Sequence, residues 1–298
     1  MPHTRWPRKT LLSGKRNGAK SAEKAKDTRL DRAGRRLSTV GEPADYSNPA
    51  LSPDEKRLAI SRVDPHLKTR DIWIFDLDRG MSSRFTFDRA EDTNPIWSPD
   101  GKRIAFTSTR KGQRGLYVKD TSGSGDEQVL LKSNEAKNAE NWSPDGRHIL
   151  FVGGSRPLMA LPLEGSGKPL PLLTGSYQAK VSPDGRWLAY CSNESGRLEV
   201  YAQSLPELLA GRSTGKRQVS TAGGGYPQWR RDSQEVFYLA SENKLMAVSV
   251  KTGGNAFETG IPKALFEERV EAAVRNPHFV PRTLARRAGT PTDTRGWH

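Results

Sequence analysis

One short phrase returns along this chain and decides what it can fold into. It reads Leu51-Ser52-Pro53-Asp54-Glu55-Lys56-Arg57, then Trp97-Ser98-Pro99-Asp100-Gly101-Lys102-Arg103. It comes back as Trp142-Ser143-Pro144-Asp145-Gly146-Arg147-His148 and Val181-Ser182-Pro183-Asp184-Gly185-Arg186-Trp187. A fifth copy, Trp229-Arg230-Arg231-Asp232-Ser233-Gln234-Glu235, keeps little beyond the aspartate. The aspartates stand at 54, 100, 145, 184 and 232. Repeats of some 40–50 residues mark stacked or radial architectures.

Each phrase is a hairpin corner. Proline presets φ for the first central position of a tight turn, aspartate suits the second, and glycine supplies φ > 0 at the exit. Alternating polar and apolar residues follow, as in Arg103-Ile104-Ala105-Phe106, and start a new strand. A second apolar run comes next in every period: Ile72–Phe75, Leu116–Val118, Leu158–Leu161, Val200–Ala202 and Leu245–Val248. A third comprises Arg84–Phe87, Gln128–Leu131, Leu170–Leu173, Arg217–Ser220 and Ala264–Phe266. With the strand before the corner this makes four short strands per period. The pattern predicts an all-β chain, a β-propeller with four-stranded blades, of which five are visible. Pro206–Ala210 is the one place where a helical turn is expected. Glu55 in a glycine position predicts a different turn geometry there, and the fifth corner is the weakest hairpin.

The corner phrase resembles the propeller repeat of the TolB family. The same repeat occurs in the propellers of prolyl-oligopeptidase-type enzymes and in the sensor halves of some bacterial serine/threonine kinases, which this chain resembles most. The resemblance covers 37–266 and implies a non-catalytic fold, usually of six blades, and a periplasmic setting. The sixth blade is not evident. Arg275-Asn276-Pro277-His278-Phe279-Val280-Pro281-Arg282-Thr283 starts like the lead-in to a blade and then loses the pattern. Leu37-Ser38-Thr39-Val40 reads like the last strand of a blade whose beginning is missing. The expectation is a fragment or an open arc, with 267–298 an irregular tail, a truncated or frame-shifted last blade.

Charge is uneven. The chain of 298 residues carries 48 Lys+Arg against 34 Asp+Glu, a net +14, and residues 1–36 alone contribute 12 basic and 3 acidic side chains. Such a segment lacks the apolar surface to offset its ordering entropy, so 1–36 is expected to be a disordered basic arm. Without interleaved aromatic residues it is a poor candidate for holding nucleic acid. No apolar run approaches the ~18 residues of a membrane span. The first 30 residues contain no apolar core of a secretory signal, so the periplasmic setting rests on the resemblance alone.

The search for chemistry finds no reaction centre. Gly-x-Ser-x-Gly, Walker A and kinase phrases are all absent from the sequence. The histidines form no metal-ligand spacing, and no cofactor is expected. The single Cys191 at a strand end reads as a buried, inert thiol. Recognition therefore falls to the segments ahead of each corner, at the mouth of the propeller's central tunnel. The candidate partner-binding residues are Asp45, Tyr46 and Asn48, then Asp92 and Asn94, Asn138 and Glu140, Gln178 and Lys180, and Tyr226 and Gln228. Their mixture of amides, phenols and charges suits hydrogen bonding to a protein or peptide. The expected function is a non-catalytic scaffold or sensor module, monomeric or part of a larger receptor-like chain. The alternative is the detached propeller of a prolyl-oligopeptidase-type peptidase.

Overall fold

The computed structural model describes residues 11–13 and 27–267, apart from 31, 43, 65, 113, 124, 133–136, 155–156, 166, 213–214, 241–243 and 254–255. Five successive antiparallel sheets follow the repeat. The first holds β4 (Tyr46–Leu51), β5 (Arg57–Val63), β6 (Arg70–Asp76) and β7 (Ser82–Arg84). The second holds β8 (Asp92–Trp97), β9 (Arg103–Ser108), β10 (Gly115–Asp120) and β11 (Gln128–Leu131). The third runs through β12 (Asn138–Trp142), β13 (His148–Val152), β14 (Leu158–Pro162) and β15 (Leu170–Leu173). The fourth runs through β16 (Ser176–Val181), β17 (Trp187–Ser192), β18 (Glu199–Ser204) and β19 (Arg217–Gln218). The expected helical turn is α1 (Leu205–Leu209), which carries Pro206 in its first turn.

The fifth sheet departs from the four-strand plan. β20 (Gly225–Trp229), β21 (Glu235–Leu239) and the long β22 (Lys244–Gly253) pair in order. One half of β22 pairs with β24 (Lys263–Glu267) and the other with β23 (Ala256–Thr259), a hairpin that the repeat does not foreshadow. Phe257 on β23 explains why it is there. Its ring centroid lies 4.6 Å from Trp187 of the fourth sheet and 6.2 Å from Trp229 of the fifth.

The N-terminal segment is not uniformly without structure. β1 (Leu11–Ser13), β2 (Asp27–Leu30) and β3 (Arg36–Val40) form a three-stranded sheet within and beside the segment read as a basic arm. Val40, expected to end a strand, does so, and it joins Tyr46, Leu58, Ile60 and Phe75 in one core cluster.

The corners hold by one repeated network. In the first four, the serine hydroxyl bonds the aspartate carboxylate, and the backbone N–H of the residue five positions on donates to that hydroxyl at 2.9 Å. The serine hydroxyl first, and then a backbone N–H bond from two residues on, hold the carboxyls of Asp54, Asp100 and Asp145 below their ordinary range against the opposing effect of desolvation. The substituted corners adopt the same turn, contrary to expectation. Glu55 sits at φ 62° and Ser233 at φ 59°, beside Gly101 at 69° and Gly185 at 74°. Each accepts the left-handed strain of roughly 1–2 kcal/mol because the surrounding bonds fix the loop: Glu55 N donates to Ser52 O, and Ser233 N to Arg230 O.

The cores lie between sheets. Ala59, Ile72 and Phe85 of the first sheet pack on Trp97, Ile104 and Phe106 of the second. Leu116 and Val118 of the second pack on Trp142, Ile149 and Phe151 of the third. Leu150 and Leu158 meet Leu188 and Tyr190, and Ala189 and Val200 meet Trp229 and Val236. A sheet apolar on both faces can be stable only between two neighbours, which is what a radial repeat provides.

Candidate functional site at the inner strands

The first strand of each sheet packs against the first strand of the next, from β4 through β8, β12 and β16 to β20. These strands are the innermost, and every one is bulged. Register breaks fall between Ser47 and Ala50, Thr93 and Ile96, Ala139 and Asn141, Tyr177 and Lys180, and Gly225 and Gln228. A bulge leaves a residue unpaired and re-aims its side chain. In four of the five strands that residue is left-handed: Asn48 at φ 54°, Asn94 at 52°, Gln178 at 57° and Tyr226 at 60°. Asparagine tolerates this conformation, whereas tyrosine and glutamine occupy it at a cost. Prolines 49, 95 and 227 follow three of them and bring no N–H to leave unbonded. That proline, three residues before the corner serine or its replacement, is the sequence signal that locates the bulge.

Several candidate residues are committed to holding sheets together. Asn94 Nδ2 donates to Asn138 Oδ1 at 3.3 Å. Tyr226 N donates to Gln178 Oε1 at 2.7 Å, and the Cys191 thiol donates to the same oxygen at 3.1 Å. Lys180 Nζ donates to Glu140 O at 2.9 Å. Asn141 and Thr107, which the sequence did not single out, serve likewise: Val181 N donates to Asn141 Oδ1 at 3.1 Å and Ala139 N to Thr107 Oγ1 at 3.1 Å. Two indoles add to this, with Trp97 Nε1 donating to Ala50 O at 2.8 Å and Trp229 Nε1 to Lys180 O at 2.9 Å.

Two candidates belong to the core rather than to a recognition surface. Tyr46 is buried, stacks edge-on to Phe75 and donates its hydroxyl to Glu42 O at 2.6 Å. Asp92 has no exposed surface and pairs with Arg110 at 2.8 Å, which also meets Glu127 at 2.6 Å and lies over the rings of Phe106 and Tyr117. Burial raises the Asp92 carboxyl despite that partner. The sequence gives no sign of this, because Arg110, in a 3-10 turn (Arg110–Gly112), and Glu127, in a loop, lie outside the repeated phrase. Asp45 is exposed and pairs with Arg70 at 3.0 Å.

Asn48, Glu140, Lys180, Tyr226 and Gln228 remain half-buried on the inner strands. Glu140 is the most perturbed of them. Crowding by protein pushes its carboxyl up to about 7, opposed by the charge of Lys180, whose own ammonium is lowered by the same desolvation. The Cys191 thiol is fully buried, and desolvation raises it. Among the described residues no three His, Cys, Asp or Glu side chains gather as a metal site, and no helix is long and apolar enough to cross a membrane.

Bulged inner strands, sheets of four strands and the Ser-Pro-Asp-Gly corner coincide with a family model, the TolB beta propeller domain, over residues 30–178. The chain belongs to the TolB-type β-propeller family. Its relatives are functionally mixed. It is 34% identical over 111 residues to the uncharacterized peptidase YuxL of Bacillus subtilis, which covers 36% of this chain and 17% of that protein. It is 28% identical over 156 residues to the Tol-Pal system protein TolB of Francisella tularensis, which covers 50% of this chain and 36% of that protein. Tricorn protease homolog 1 of Streptomyces coelicolor is 32% identical over 148 residues, 44% of this chain and 14% of that one. The chain thus spans 14–36% of the length of these curated relatives. Among solved structures, TolB from Acinetobacter baumannii superposes with a TM-score of 0.65 at 23% identity, covering 87% of this chain and 64% of that one. A putative TolB from Agrobacterium tumefaciens gives 0.60 at 17% identity, covering 86% and 89%. At these identities the structural likeness establishes the fold.

Proposed function

We propose that this propeller is a non-catalytic module that binds a protein or peptide at the tunnel mouth formed by its inner strands. The observation that carries the reading is the bulge: at an equivalent place in four of the five sheets the chain spends backbone strain to present Asn48, Asn94, Gln178 and Tyr226. With Glu140, Lys180 and Gln228 these positions offer amide, phenol, cation and carboxyl groups along the inner strands. Such a lining matches the alternating donors and acceptors of an extended peptide, with Glu140 suited to an amino group or lysine. A TolB of the Tol-Pal system among the relatives supports a protein partner. In this reading 37–266 is the propeller and works as a monomer or as part of a larger receptor-like chain.

One observation favours a second reading. The relative with 34% identity is named a peptidase, and a prolyl endopeptidase and a puromycin-hydrolyzing peptidase share the fold. The chain would then be the propeller that gates a hydrolase.

Selection of phage-displayed random peptides on the full chain tests the first reading. Enriched peptides are expected to lose at least about tenfold in affinity, some 1.4 kcal/mol, for Asn48→Ala and Glu140→Gln, with unchanged melting. Equal binding by both variants would move the site away from the inner strands. Hydrolysis of a prolyl p-nitroanilide by the purified chain would overturn the non-catalytic assignment.

A further inference from the structure

The inner strands carry few charges, and two of these stand where the repeat places none. Counted back from the corner serine or its replacement, Glu140 takes the place of Pro49, Pro95, Ala179 and Pro227. Lys180 takes the place of Ala50, Ile96, Asn141 and Gln228. The other charged residue of β4, β8, β12, β16 and β20 is Asp92, which is buried against Arg110. The third bulge is also built differently. A single unpaired residue, Glu140, lies between Ala139 and Asn141, where each of the other four bulges has two. No residue of β12 is left-handed. The extra residue of this strand is thus the carboxylate itself, re-aimed by the bulge.

Neither charge finds its match within the protein. Among the described residues no donor meets the Glu140 carboxylate, which feels only desolvation and the charge of Lys180. The Lys180 ammonium has one acceptor there, Glu140 O at 2.9 Å, which leaves two of its three protons free. Both side chains are half-buried, and desolvation works against both charges. A charged group short of both water and partners is costly to hold, and a ligand that completes it recovers that cost.

A ligand suits both groups when it carries a cation and an acceptor side by side. The amino terminus of a peptide does so, since its ammonium lies ~3 Å from the first carbonyl oxygen. A lysine side chain has no such acceptor and would set a second cation against Lys180. We propose, on the footing of the peptide-binding reading above, that Glu140 and Lys180 read the free amino terminus of a peptide that enters end-on. The ammonium bonds the Glu140 carboxylate, and the first carbonyl oxygen accepts from the Lys180 ammonium.

Retention of synthetic random hexapeptides by the full chain tests this. The pools compared are a lysine-free pool with a free amino terminus, the same pool N-acetylated, and an N-acetylated pool with one lysine. The free-terminus pool is expected to be retained at least about tenfold more than either acetylated pool. Glu140→Gln should bring it down to their level with unchanged melting, because the carboxylate holds no hydrogen bond in the protein. Equal retention of the free and acetylated lysine-free pools would overturn the proposal and leave a peptide site on the inner strands standing. Retention of the lysine pool equal to that of the free-terminus pool would overturn it in favour of the side chain. Retention of no pool would overturn both the proposal and the reading on which it stands.

Discussion

The junctions between successive sheets and the junction that joins the two ends of the array are built differently. At the first kind, the residue two positions after the corner's glycine position reaches into the next sheet at the first, second and fourth corners. The Arg57 guanidinium lies 4.6 Å from the Trp97 ring centroid and donates to Gly101 O at 2.9 Å, and Arg103 lies 5.2 Å from Trp142. Trp187 takes the same offset in the fourth sheet and packs on Phe257. In the fifth sheet the offset falls on Glu235, which has no following repeat to reach. It accepts Arg32 instead, with Arg230 at 3.0 Å as a second partner. Local junctions are thus written into the repeat and bury aromatic surface, whereas the closing junction is a charged contact between distant segments. Aromatic packing is insensitive to salt, whereas an ion pair whose arginine is partly exposed is screened by it.

The largest effect should come from the local kind. Phe257→Ala removes the ring shared by Trp187 and Trp229 and is expected to cost ~3–5 kcal/mol, read as a fall in the denaturant midpoint at any ionic strength. A loss below about 1 kcal/mol would show that β23 is dispensable to that interface. Arg32→Ala should cost less, ~1–2 kcal/mol, because Arg230 still attends Glu235. Its penalty should shrink as salt rises from low to molar concentration. A penalty that does not vary with salt would mean that the stack of Arg32 on the Phe237 ring, not the charge, holds the N-terminal sheet. The smallest change is Glu55→Gly. It relieves a left-handed residue but adds chain freedom to the unfolded state, so the net gain is below about 1 kcal/mol. Gly101→Ala at the equivalent corner should instead destabilise, and a loss from both substitutions would show that the contact of Arg231 with Glu55, at 4.0 Å, outweighs the strain at Glu55.

The local junctions were legible in the sequence, and the closing one was not. Ser-Pro-Asp-Gly, the apolar runs after it and the tryptophan before it state the corner, the strands and the packing partner within one period. The turn at Ser233 escaped because its geometry survives through backbone bonds to Arg230, which no residue code announces. Of the recognition candidates, Asn48, Glu140 and Tyr226 stayed on the half-buried inner strands, while Tyr46 and Asp92 went to the core. Alternation alone could not separate them, because a bulge shifts side chains between faces and only the following proline betrays it. The Arg32–Glu235 pair was invisible for a simpler reason: a basic residue in a basic segment has no period to mark it.

The pairing of Arg32 with Glu235 also orders events during synthesis. The arginine leaves the ribosome 203 residues ahead of its acceptor. Nascent sheets can pack one upon another as they emerge, but Arg32 must wait for its acceptor until the fifth sheet has been made.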